Sequence, residues 1–257
     1  MDLLKIKKCG LKLWRRDMEI LGAISMCPHS VSQLAREFFS SKKKCSERMT
    51  KLFQAKLVQR IPMPNDTMKG KPEFVYYEKK KGVKMTYAGV LHSLGVVDFK
   101  LWINSAIENT DSVKGCFHHG QKHCDSLMGG LFIPDGWINL VKGDKKLLYF
   151  VEVDCGTESL TSKSGYAFGD KLDLYAEYFD SEEYNKDYEY LGIKFKGFRL
   201  LTIFRSQKRM KHFVKLAKVK EADFVLCTTF EHLKEKKLFD KCWTNFDEEL
   251  VNIVGKH

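Results

Sequence analysis

Three carboxylates give this sequence of 257 residues its clearest chemical signal. Asp135 follows Pro134 in one β-prone run, and Glu152-Val153-Asp154 closes the next, with Glu152 17 residues beyond Asp135. Side chains alternate along a strand, so Glu152 and Asp154 share one face while Val151 and Val153 take the other. A hairpin through Lys142-Gly143-Asp144-Lys145 joins the two runs and brings Asp135 across the ladder towards Glu152. Three acids on one sheet face are costly unless a divalent cation neutralises them. Oxygen-only ligands favour Mg2+ or Mn2+ over Zn2+. Such a cation lowers the pKa of a bound water and stabilises charge on a phosphoryl oxygen. The competing reading is a wet strand face with solvated acids. The spacing favours a metal site of Asp135, Glu152 and Asp154.

Other residues stand near this group in sequence. His118, His119 and His123 could serve as a proton donor or extra ligand, against the plainer reading of loop histidines. With Cys116 and Cys124 they resemble a zinc cluster in composition, but the spacing fits no standard zinc module. Glu108, late in a helical run, could add a carboxylate; an exposed helix end is the simpler role. Tyr166, Tyr175 and Tyr178 raise the question of a tyrosine nucleophile. Tyr175 and Tyr178 lie on the packing stripe of their helix, which assigns them to the core.

The elements that must hold this chemistry alternate between helix and strand. Residues 97–109 have helical spacing, 116–119 suggest a short strand, and 131–141 and 147–154 form the hairpin. An amphipathic helix over 170–179, a strand over 198–204, a basic helix over 208–218, a strand over 222–228 and a helix over 231–237 follow. That order predicts an α/β sandwich around a mixed sheet.

The first 97 residues read differently. Helical spacing covers 14–26, and Ser30 with Gln33 has the spacing of a capping box for a second helix running to about residue 39. A third helix, ending near residue 55, carries Lys42, Lys43, Lys44, Arg48 and Lys51 opposite Met49, Leu52 and Phe53. Strands are expected over 57–61 and 74–77, with a Pro/Gly/Lys-rich hairpin tip at 62–72 holding Lys69 and Lys71, and a closing helix over 87–94. This is the pattern of a winged helix whose third helix enters the major groove and whose wing touches phosphate. The expected domains are therefore 1–97, binding duplex DNA, and 98–257.

Charge supports that division. The first 97 residues hold 20 Lys and Arg against 8 Asp and Glu, a balance of +12; the rest hold 24 against 25. A compact basic domain suits a polyanion, although a solvated surface would also be basic. Between Asp135 and Glu189 the balance reverses to 13 acids against 6 bases, which would repel phosphate unless a cation bridges the two. Hydrophobic residues at 44% and charged residues at 30% exclude a disordered chain. No apolar run approaches the ~20 residues that cross a bilayer. The basic start lacks a secretory core, and eight scattered Cys without a CxxC suit reduced thiols in a cytoplasm.

The carboxylate pattern resembles the PD-(D/E)xK, or restriction-endonuclease-like, nuclease core. Asp135 and Glu152 match its acids, and Asp154 stands at its lysine position. The resemblance implies either that Lys171, on the following helix, supplies the ammonium, or that Asp154 is a further metal ligand. More closely, Pro134-Asp135, then Glu152-Val153-Asp154-Cys155-Gly156-Thr157-Glu158, then Lys171-Leu172 and Tyr175 resemble the plasmid replication-relaxation family, with its E-x-D-x-G-T-E block and K-L-x-x-Y. Cys155 departs from the Arg that many members carry there. The family is similar to C-class mobilisation relaxases. The resemblance implies a winged helix joined to a nuclease-like domain, Mg2+ or Mn2+, duplex DNA of a plasmid or mobile-element origin as partner, and strand nicking. The alternative is a replication or transcription regulator with an inactive nuclease fold, kept for packing or for a homodimer.

Overall fold

The computed structural model describes residues 10–63, 73–78, 85–120, 132–156, 159–161 and 167–254. The chain divides into two compact units, Met1–Leu101 and Trp102–His257.

The first unit contains α1 (Arg15–Met26), β1 (His29–Ser30), α2 (Val31–Phe38), α3 (Lys42–Gln54), β2 (Gln59–Pro62) and β3 (Phe74–Tyr77). Ser30 and Gln33 form the reciprocal cap their spacing predicts. The Gln33 N–H donates to Ser30 Oγ at 3.2 Å and the Ser30 N–H to Gln33 Oε1 at 3.0 Å, which fixes where α2 starts. Ile20, Leu21 and Ile24 of α1 pack on Val31 and Leu34 of α2 and on Cys45, Met49 and Leu52 of α3. The three strands pair antiparallel in the order β1-β3-β2. Residues 64–72, with Lys69 and Lys71, lie outside the described residues.

One expectation fails. The helices sought at 87–94 and 97–109 are a single helix, α4 (Tyr87–Glu108). Its run of Val90, Leu94, Val96, Val97, Phe99, Leu101 and Ile103 is buried almost all round. A helix without a wet face shows no clear stripe to mark its continuity.

The second unit is built on a mixed seven-stranded sheet in the order β10-β9-β8-β7-β6-β5-β4. Its strands are β4 (Lys114–His119), β5 (Gly136–Lys142), β6 (Lys145–Asp154), β7 (Phe198–Phe204), β8 (Val225–Thr229), β9 (Trp243–Thr244) and β10 (Leu250–Val251). β4, β5 and β6 pair antiparallel, β6, β7 and β8 pair parallel, and β8, β9 and β10 pair antiparallel. Among the described residues its α-helices after β4 are α5 (Lys171–Asp180), α6 (Glu183–Asp187), α7 (Gln207–Val219) and α8 (Phe230–Glu235). Leu148 and Phe150 of β6 pack with Leu172, Tyr175 and Tyr178 of α5 and with Met210, Phe213 and Val214 of α7 in one aromatic core. The helices after β6 and β7 thus cover a single sheet face, the one that carries the acids. No helix among the described residues is long and apolar enough to cross a membrane.

Candidate active site

The hairpin register brings the first two acids together. Gly136 pairs with Val151, so Asp135, the residue before, stands opposite Glu152. Asp135 Oδ2 accepts the Val153 N–H at 2.7 Å. The Pro134-Asp135 segment is gripped just past the end of β4, where the Gly120 N–H donates to the Asp135 carbonyl at 3.1 Å. A Cβ on Gly120 would lie 1.6 Å from the Pro134 carbonyl oxygen, so only glycine allows this approach.

Glu152 is 2% exposed. Lys171, the first residue of α5, sets its ammonium 2.8 Å from Glu152 Oε2. Tyr175, one turn later on the same helix face, donates its hydroxyl to Oε1 at 2.8 Å. Burial pushes the Glu152 carboxyl up to about 7; Lys171 opposes the shift and Asp135 adds to it. Burial, then the Glu152 charge, drives the Tyr175 hydroxyl well above the usual range. That phenol therefore keeps its proton and acts as a donor. Thr202 of β7 pairs in register with Glu152, and its buried hydroxyl has no hydrogen-bond partner among the described residues. Asp135, Glu152 and Thr202 make a polar row across three neighbouring strand positions.

Asp154 departs from the expected trio. It is 3% exposed, and the Arg209 guanidinium grips both its oxygens through Nε on Oδ2 and NH2 on Oδ1. Oδ1 also accepts the Gly156 N–H at 3.0 Å. Its charge is met by a guanidinium, which leaves two acids facing each other rather than three. Among the described residues no three His, Cys, Asp or Glu gather into a metal-binding group. The donors that remain, Asp135 and Glu152, suit an ion that takes one or two carboxylates and completes its shell with water and substrate phosphate. Mg2+ binds in that way.

The accessory candidates fall elsewhere. His118 lies in β4, stacked on Trp137 with ring centroids 3.8 Å apart, and its Nε2 is 2.9 Å from Cys116 Sγ. His119 meets Phe117 edge to face. His123 lies outside the described residues, as do Thr157, Glu158 and Tyr166. Glu108 is the exposed last residue of α4, as the simpler role had it.

In the first unit, Lys43, Lys44 and Lys51 are exposed on α3. Lys42 reaches Ser32 Oγ at 2.7 Å and Glu73 at 3.2 Å, and Lys44 reaches Ser40 Oγ at 3.3 Å. Arg48 breaks with the expected DNA-facing set. Its Nε donates to Asp17 Oδ1 at 2.8 Å and its NH2 to the Lys12 carbonyl at 2.9 Å. It is a structural cation, because Asp17 is buried and needs one.

Three participants escape pattern reading. The stripe on α5 marks the Tyr175 ring as core but says nothing of its hydroxyl. Thr202 sits in an apolar strand, FRLLTIF, where one hydroxyl carries no signal. Arg209 reads as one more cation of a basic helix.

A family model described as replication-relaxation matches residues 27–192. No curated protein matches the chain. Among solved structures, restriction endonuclease FokI bound to DNA aligns with a TM-score of 0.30 and 12% identity, over 85% of this chain and 43% of that one. A second structure of FokI aligns with a TM-score of 0.30 and 14% identity, over 84% and 41%. The chain spans less than half the length of those two chains, and likeness of that order does not define a fold.

Proposed function

The chain belongs to the replication-relaxation family, and from that premise we propose that it processes DNA in replication by nicking a strand in a metal-dependent reaction. The observation that carries this reading is the pairing of Asp135 with the buried Glu152, with the Lys171 ammonium 2.8 Å from the latter. Two carboxylates and one ammonium on a sheet face are the working parts of a PD-(D/E)xK nuclease. Here the lysine comes from α5 and not from the strand position held by Asp154.

Asp135 and Glu152 would hold Mg2+ or Mn2+. Such an ion, when bound, lowers the pKa of a water and neutralises charge on phosphoryl oxygens. The chain's own groups do the rest. The Val153 N–H fixes the Asp135 carboxylate, and the Tyr175 hydroxyl fixes Glu152. Lys171 keeps a positive charge at the pair, where it can orient a water or stabilise the negative charge that develops on phosphorus. Tyr175 is not the nucleophile, since its hydroxyl is committed to Glu152 and holds its proton firmly.

The first unit, with its three helices and its β1-β3-β2 sheet, is the winged-helix module of this reading. Lys43, Lys44 and Lys51 would meet duplex DNA, with Lys42 shared between Glu73 and the ligand. The second unit, with helices over one face of a mixed sheet, is the nuclease-like core. The match over residues 27–192 supports one chain carrying both.

One observation favours the regulator reading instead. Both Glu152 oxygens already have donors, and Asp154 is closed by Arg209. Supercoiled plasmid carrying the native replicon decides between the two. With Mg2+ or Mn2+ the wild-type chain converts it to nicked circle, while Asp135→Ala and Glu152→Ala do not and still bind duplex. If the wild type leaves it supercoiled with both metals, the regulator reading takes over.

A further inference from the structure

α7 has no part in the chemistry above, yet it starts at the acidic strand and is strongly cationic. Its sequence, QKRMKHFVKLAKV, contains no acid. Met210, Phe213, Val214 and Ala217 form the buried face. Lys208, Lys211, Lys215 and Lys218 are exposed, and their 3-4-3 spacing aligns them as one stripe along the helix. None of the four has a carboxylate partner among the described residues. The neighbouring cations do: Arg209 grips Asp154 and Lys220 grips Asp173 at 2.5 Å. Asp154 and Asp173 are thus held by cations beside the stripe and not by the stripe itself.

The start of the helix is tied to the site. The Arg205 N–H donates to the Asp154 carbonyl at 3.4 Å, and the Arg209 fork closes on the Asp154 side chain. Asp154 is two residues beyond Glu152 on the same strand face. Its role is therefore to anchor the first turn of α7 at the end of β6, so that the lysine stripe runs outward from the catalytic acids. From Lys208 to Lys218 the helix rises about 15 Å. Over that length a duplex presents roughly nine phosphate charges. A row of separate, flexible ammonium groups suits a regularly charged backbone better than a single compact anion.

We propose that the exposed face of α7, through Lys208, Lys211, Lys215 and Lys218, is a second DNA-backbone surface that holds the phosphates of the strand entering the Asp135–Glu152 site. This rests on the reading that the site acts on DNA, but not on its cutting DNA.

The test measures binding of the full chain to a 30-base-pair duplex by fluorescence anisotropy, in EDTA, over a range of KCl concentrations. EDTA separates it from cleavage, so failure of the nuclease reading leaves it intact. One variant carries K208Q/K211Q/K215Q/K218Q. A control carries K146Q/K194Q/K196Q/K234Q, exposed lysines elsewhere in the same unit. Both lose the same charge, and glutamine preserves helix propensity. Each lost phosphate contact makes the slope of log affinity against log salt shallower by about 0.9. The α7 variant is expected to lose two to four contacts, hence a slope shallower by roughly 2–4 and affinity at least about tenfold weaker than the control. If the α7 variant melts lower than wild type, the K208Q/K211Q pair carries the test with about half the slope change. Equal slopes for the α7 variant and the control overturn the proposal and leave α7 as a face for an acidic protein.

Discussion

Asp17 in the first unit and Glu152 in the second are each buried against a cation, and the two end in opposite electrostatic states. Asp17, 1% exposed, receives the Arg48 fork at 2.8 and 2.5 Å and the Trp14 N–H at 2.7 Å. Burial alone would raise its pKa, but the Arg48 and Trp14 hydrogen bonds outweigh that and hold it below the usual carboxylate range. Glu152, 2% exposed, has Lys171 and Tyr175, and is still pushed up to about 7. Burial dominates there, and a second acid, Asp135, faces it across the ladder. Asp17 is a finished ion pair that fastens α1 to α3. Glu152 carries the added charge of Asp135 beside it, and that is the condition a divalent cation relieves. Burial of an acid beside a base does not identify a site; a buried acid whose pKa stays raised, with a second acid adding to the shift, points to one.

That contrast can be broken or sharpened by mutation. The largest effect is expected from Asp135→Asn or Glu152→Gln, each lowering the plasmid-nicking rate on the order of a thousandfold or more with duplex affinity unchanged in anisotropy. Lys171→Ala should slow nicking by roughly a hundredfold or more, the scale of a lost proton-handling or charge-placing group, in single-turnover assays. Asp17→Ala acts on stability instead. Leaving Arg48 without its partner should cost about 3 kcal/mol in the first unit, measured by hydrogen exchange in α1 and α3, with the nicking rate per folded molecule unchanged.

The smallest effect is one of pH, and its sign differs between the two acids. The raised pKa of folded Glu152 gives stability that is fully present below its unfolded value, near 4.5, and is lost as pH rises through about 7. Glu152→Gln should therefore unfold at a higher temperature than wild type at pH 8, by a few degrees, and not at pH 4. The depressed pKa of Asp17 gives stability that is present above its unfolded value, near 3.8, and is lost only as pH falls further. Asp17→Asn should narrow its deficit only in that acid range. Melting curves of both variants at pH 3, 4 and 8 check the two signs together.

Much of this arrangement is legible in the residues. Ser30 and Gln33 announce the start of α2, and the Gly143-Asp144 turn sets the register that puts Asp135 opposite Glu152. Lys171 comes from the resemblance to the nuclease core, whose lysine position holds Asp154 here. What escapes the eye depends on contacts far apart in sequence. Alternation says that Asp154 shares a face with Glu152, but not that Arg209, 55 residues later, will occupy it. Arg48 looks like a DNA contact until Asp17 is found beneath it. β9 and β10 are two residues long each, too short for any alternation to be visible. α4 hides for the opposite reason, since burial on nearly all sides erases the periodicity that would have joined its halves.

The central claim, that Asp135 and Glu152 form one divalent-cation site, is tested most directly by titrating Mn2+ into the full chain at pH 7.5 and following free Mn2+ by electron paramagnetic resonance. The account predicts one bound ion per chain in wild type and in Asp17→Asn, and none at that site in Asp135→Asn or Glu152→Gln. Binding that persists in both site variants, or wild type that binds no ion at millimolar Mn2+, would contradict it.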